Sequence, residues 1–290
     1  MEDVQWPSDV VHVLDWSAMG MGGHPEHGLD VDGNPDTCAP VGDCSGGVDN
    51  SMFGFFQWLI SEFSPGDQAI PPPYGESSEH PDFARLVVAE GWNVVGTPFT
   101  LSFYLGRRLD SSCEVVDETC PYCVRMESMS KATCAAVISF DNAAVQGDVL
   151  TAGGAGHSSS FALVSEFPPF PPKVWEIPVR HVSLVARVEW VEGGVQRTQG
   201  ILGAAINKED LKEALKSMPM NPGIIYVVSP IPGLQAMVES HVQADVDTTG
   251  DGLLDSASIG ILFQTTQAVI QGLEGLPGCL AQDIVPDPDL

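Results

Sequence analysis

Positive charge is the scarcest property of this chain. Its 290 residues hold 12 Lys and Arg against 39 Asp and Glu, a formal net charge of −27. Such a surface repels phosphate backbones and anionic headgroups, which excludes nucleic acid and membrane surfaces as expected partners. Long apolar runs are missing too: no stretch approaches eighteen residues, so no transmembrane segment is expected. Met1-Glu2-Asp3 opens without the cationic and apolar segments of an export leader. No internal repeat is evident. Apolar content is an ordinary 43%, so the acidity does not signify a disordered tail.

The length suits one large domain or two small ones. Seven cysteines fall in local clusters: Cys38 with Cys44, then Cys113, Cys120, Cys123 and Cys134, with Cys279 alone. In an acidic, Pro- and Gly-rich chain this pattern predicts disulfides made in an oxidising compartment. The acidic N-terminus leaves a cytoplasmic protein or one parted from its export signal, and the cysteines favour the second, so an extracellular or outer-envelope location is expected. Seven is odd, so one thiol stays free or pairs with another chain.

The stretch Asp247-Thr248-Thr249-Gly250-Asp251-Gly252-Leu253-Leu254-Asp255 carries the strongest chemical signal. Oxygen-bearing groups recur at every second position around a glycine in sixth place, a spacing that suits Ca²⁺ and its six to eight oxygen ligands. Asp247, Thr249 and Asp251 are expected to ligate through side chains, Leu253 through its carbonyl, and Asp255 directly or through water. Position twelve is Ser258 rather than the bidentate Glu of an EF-hand. The loop therefore resembles the Asp-rich loops of dockerin or thrombospondin type 3 repeats, and a structural ion is expected rather than a sensor. A second cluster, Asp30, Asp32, Asn34 and Asp36, has glycine in fourth place and Pro35 stiffening the turn. There an irregular Ca²⁺ loop and a plain acidic turn both remain open.

Periodicity predicts an α+β chain, mainly β: an antiparallel β-sandwich with a few peripheral or packed helices. Residues 1–93 read as a loop-rich Asp/Cys segment with helices packing on the core, one over 52–63 and a short one near Pro81–Glu90. Residues 94–290 read as the sandwich, with a C-terminal helix and the Asp-rich loop, the whole forming one continuous domain. Strands are expected at Thr100–Tyr104, Ala135–Phe140, Gly147–Leu150, Ser160–Ser165, Val174–Ile177 and Val182–Val191. Helices are expected at Lys208–Ser217, capped by Asn207, and at Leu234–Val242. Ile259, Ile261 and Phe263 alternate as in a strand.

Other motifs point elsewhere and carry less. Cys120-Pro121-Tyr122-Cys123 resembles the glutaredoxin active site, but the apolar strand that should precede it is replaced by Glu114-Val115-Val116-Asp117-Glu118-Thr119. Nearby carboxylates raise a thiol's pKa, so a structural disulfide cluster is expected, with a Zn²⁺ thiolate site as a lesser alternative. Met19, Met21, His24 and His27 could hold copper or zinc, or form an exposed Gly-rich loop. Gly42–Gly47 and Gly156–Phe161 imitate hydrolase nucleophile loops without their full patterns.

Three segments together resemble a group of uncharacterised secreted proteins or lipoproteins of myxobacteria and related bacteria. These are Asp30–Asn50, the cysteine cluster with the strands over Ile138–Val149, and Gly200–Ile206 followed by a helix and the Asp247 loop. The resemblance implies an exported, Ca²⁺-bearing, β-rich protein and transfers no catalytic residue. The expected function is non-catalytic calcium binding, structural or adhesive, toward an unknown envelope or extracellular component. The competing expectations are a thiol-disulfide oxidoreductase using Cys120 and Cys123, or a hydrolase whose site is dispersed.

Overall fold

A computed structural model describes residues 10–19, 27–34, 50–52, 55, 84–92, 96–110, 120–129, 135–165, 173–191, 194–217 and 234–275. Eight strands follow one another around a closed wall: β1 (Val10–Met19), β2 (Ala84–Glu90), β3 (Phe99–Arg108), β5 (Ile138–Gln146), β6 (Val149–Gly153), β8 (Lys173–Val191), β9 (Gly194–Asn207) and β10 (Ser256–Gln267). Each pairs antiparallel with the next, and β10 returns to β1 with His12 opposite Gln267 and Met19 opposite Ile261. The pairing of β3 with β5, Phe103 opposite Ile138, bypasses β4 (Pro121–Val124) and completes the ring. The fold is thus a closed eight-stranded antiparallel barrel, and the expected sandwich is overturned. Half-buried strands alternate identically in both architectures. Only the long-range pairing that abolishes the edges tells them apart.

Three strands lie off the ring. β4 extends the last part of β3, and β11 (Val269–Leu273) runs parallel to β4. Together they cover the outer face of β1–β3, where Val13, Leu86, Val88 and Tyr104 pack with Tyr122, Val124 and Leu273. β7 (Ser158–Ser165) pairs with the first half of β8. β8 then bulges between Arg180 and Ser183, with His181 at φ 52, and turns into the wall between β6 and β9.

This second layer explains two further corrections. Residues 1–49 read as loop and Pro81–Glu90 as helix, yet β1 and β2 lie there. In β2, Leu86 and Val88 face the outer layer while Val87 and Ala89 face the barrel interior. Both faces are buried, so the alternation that marks a strand is lost. Met52 and Phe55 are helical and buried, as expected; the rest of 52–63 lies outside the described residues.

Helix α1 (Lys208–Ser217) continues directly from β9. Asn207 Oδ1 accepts the Glu209 amide at 2.9 Å, the expected N-cap. Leu211 and Ala214 bury against the core, as does Val238 of α2 (Leu234–His241). Lys212 Nζ donates to Glu209 at 2.7 Å and also to Glu239, joining the two helices. No helix among the described residues is long and apolar enough to cross a membrane. Outward positions of β8 and β9 carry Arg187, Glu189, Arg197 and Gln199, a face suited to water.

Candidate functional site

The connection from α2 to β10 is anchored before it reaches the Asp-rich loop. Asp245, fully buried, accepts from Ser51 Oγ at 2.9 Å, from the Ser258 amide at 2.8 Å and from Ser258 Oγ. Burial pushes its carboxyl pKa up, and those three donors partly counteract the shift. Val246 then bridges to Ser256, so residues 246–256 leave the barrel and return at one point.

Within that loop Asp247 is the hub. Its Oδ1 accepts the amides of Thr249 (3.1 Å) and Gly250 (2.7 Å), and its Oδ2 accepts the Gly252 amide at 2.7 Å. The Gly252 bond, with the Gly250 and Thr249 bonds behind it, lowers the Asp247 pKa and holds the group ionised. Gly250 at φ 74 and Gly252 at φ 84 supply the left-handed backbone this curl requires. Thr249 Oγ1 lies 3.2 Å from Asp247 Oδ1, and Asp251 Oδ1 accepts the Leu253 amide at 2.9 Å. Asp255 is engaged differently: its Oδ1 takes Thr248 N (3.1 Å), Thr248 Oγ1 (2.8 Å) and Ser256 Oγ (2.9 Å). Its partial burial would raise its pKa, but these bonds prevail and lower it.

The other acidic cluster is simpler. Asp30 Oδ1 accepts the Gly33 amide at 2.6 Å, and Asp32 Oδ1 accepts the Asn34 amide at 2.8 Å. Burial raises the Asp30 pKa and the neighbouring Asp32 charge adds to it, against the Gly33 bond. Leu29 and Val31 seat the segment on the outer wall of β9, over Gly203, where any Cβ would meet Val31 at 2.9 Å. Asp36 lies outside the described residues. Among the described residues no three His, Cys, Asp or Glu side chains gather closely enough to hold a metal. Any cation here would rely on hydroxyl, carbonyl and water oxygens for much of its shell.

Cys120 and Cys123 are each 1% exposed and disulfide-bonded, and Pro121–Val124 is a strand, not a helix start. Three residues of extended chain separate their Cα atoms by about 10 Å, beyond disulfide reach, so they are not bonded to each other. The other five cysteines fall outside the described residues, as do Met21 and His24.

Sequence reading missed the barrel interior. A cavity of ≈ 60 Å³ opens at the end where β2 begins, lined by Leu14, Phe103, Leu105, Leu202 and Phe263 with Arg85 among them. A second, of ≈ 20 Å³, shares Phe103 and Phe263 with the first and is lined also by His12, Thr198 and Thr265. Trp92 lines that inner space, stacked on Phe99 at 5.0 Å between ring centroids. His12 Nδ1 pairs with Thr265 Oγ1 at 2.9 Å, while its Nε2 has no partner. Burial lowers the His12 pKa to about 4, so the imidazole is neutral. The signal was present in the sequence: Arg85 shares its strand parity with Val87 and Ala89, and His12 interrupts Val11 and Val13.

No family model, curated protein or solved structure matches the chain.

Proposed function

We propose that the protein is a non-catalytic calcium-binding barrel of the cell envelope or extracellular space, structural or adhesive in role. The Asp247 hub supports this reading. Three backbone amides converge on one carboxylate, and the loop curls with Thr249 and Asp251 on the same short turn. A Ca²⁺ ion would take oxygens from Asp247, Thr249, Asp251 and the Leu253 carbonyl, complete its shell with water, and draw on Asp255 only through its second oxygen. So few free carboxylates imply weak binding, on the order of 10⁻⁴–10⁻³ M, the range of extracellular modules. The ion would act by holding the α2–β10 connection against the repulsion of its own carboxylates. Its partner would be a surface component of the envelope or matrix.

The test is thermal unfolding with Ca²⁺, with Mg²⁺ and with chelator. Ca²⁺ should raise the melting temperature more than equal Mg²⁺, and Asp251→Ala should remove the difference. Identical curves in Ca²⁺ and chelator would sink the reading. An equal rise with both cations would reduce it to screening of the net charge.

A further inference from the structure

We propose that the Arg85 end of the barrel binds a short-chain aliphatic carboxylate, its headgroup on the guanidinium and its chain among Leu14, Phe103 and Phe263. The first support is position. Strand alternation turns Arg85 inward with Val87 and Ala89, whereas Ala84, Leu86 and Val88 face the outer layer. The second is that Arg85 has no counter-ion among the described side chains. Carboxylates outnumber cations more than three to one in this chain, yet no described carboxylate lies within ion-pair or hydrogen-bond distance of Arg85. Arginine cannot shed its proton to escape burial, so a partly dehydrated guanidinium at an apolar cavity is a standing anion receptor. Desolvation alone lowers its pKa, with no nearby charge contributing.

The cavity selects the class of anion. A guanidinium fork matches a carboxylate bidentately. Surfaces contributed by Leu14, Leu202, Ile261 and Phe263 want hydrocarbon beyond it. At about 10–15 Å³ per water-sized site, a cavity of ≈ 60 Å³ holds roughly four to six non-hydrogen atoms. That admits a chain of about four to six carbons with its carboxylate at the mouth, not a long acyl tail. One cation suits one negative charge, which disfavours phosphate dianions. Phe103 and Phe263 line both cavities, so their rotation would lengthen the chain that fits.

Calorimetric titration of the full chain with hexanoate, with hexanol and with inorganic phosphate tests this. Saturable millimolar or tighter binding is expected for hexanoate alone. Arg85→Met should weaken it about tenfold or more, and Arg85→Lys by less, since charge without the fork is retained. Ile261→Phe, which narrows the cavity and leaves Arg85 in place, should weaken it by at least as much. No saturable binding of hexanoate to the unaltered chain overturns the proposal whatever the variants do. So does equal binding of hexanol, or equal affinity in a folded Arg85→Met protein. Each titration is run in Ca²⁺ and in chelator. Binding in both separates this site from the calcium reading.

Discussion

His12 and Arg85 both enter the interior of one barrel, each lining a cavity bounded by Phe103 and Phe263, and burial treats them differently. His12 gives up its charge and keeps one hydrogen bond, to Thr265, so it is a quiet core residue at neutral pH. Arg85 has no neutral form within reach and gains no partner among the described side chains, so the same environment leaves it charged and exposed to the cavity. Asp245 is the third case, a buried carboxylate satisfied by three donors. A group that can neutralise itself, or that is fully hydrogen-bonded, is accounted for by the fold. Arg85 is accounted for by neither.

The largest expected effect breaks the comparison at His12. The unfolded imidazole titrates near 6.5 and the folded one at about 4. Between these values the unfolded chain binds more protons, so stability is complete above pH 6.5 and is lost as pH falls toward 4. A gap of this size is worth about 3 kcal/mol. Denaturant unfolding at neutral pH and near pH 4.5 should show the loss, and His12→Gln should remove that part of it. Asp245 acts in the opposite sense, because its folded pKa is raised and its contribution fades as pH climbs through that value. An unchanged pH slope in His12→Gln would mean that the imidazole is hydrated and not buried.

Next in size is Asp245→Ala. It strands Ser51 Oγ and both donors of Ser258 in the interior and should cost about 2 kcal/mol, with Asp245→Asn costing less. A loss no greater than that of an exposed substitution would show that water reaches the cluster. Arg85→Met should go the other way, raising stability by about 1 kcal/mol, because it removes a charge that the fold does not satisfy. A destabilised Arg85→Met protein would mean that the guanidinium serves the wall after all.

How much of this was legible in the sequence follows from which faces are buried. Ile259, Ile261 and Phe263 alternate because β10 has one apolar and one more polar face, and the strand was readable. The Asn207 cap and α1 were readable as well. β1 and β2 were hidden because β4 and β11 cover their outer side, erasing the period. Barrel closure was hidden because β1 meets β10 across some 250 residues, a fact of pairing that no local pattern records. The Asp247 hub was legible as spacing, but not the diversion of Asp255 to Thr248 and Ser256. Arg85 was printed plainly in an apolar run. Its run reads equally well as a helix, on which its parity with Val87 means nothing.

The smallest expected effect concerns a cation that does have partners. Lys212 bridges α1 and α2 through Glu209 and Glu239, both largely exposed carboxylates. Water already solvates those carboxylates, so each pair gains little Coulomb energy and loses side-chain freedom in return. Glu239→Gln should therefore lower the melting temperature only slightly at low salt. At high salt, which screens the exposed carboxylate's side of the pair, the loss should shrink. The sign is what makes the variant useful beside Arg85→Met. Removing an anion from a satisfied cation should weaken the protein slightly, whereas removing an unsatisfied cation should strengthen it. If both changes weaken it by similar, salt-sensitive amounts, Arg85 is an ordinary member of the surface charge network and its place at the cavity is incidental. If the signs differ and the Arg85 effect persists in salt, the guanidinium is held there at a cost to the fold, which is the mark of a residue kept for a ligand.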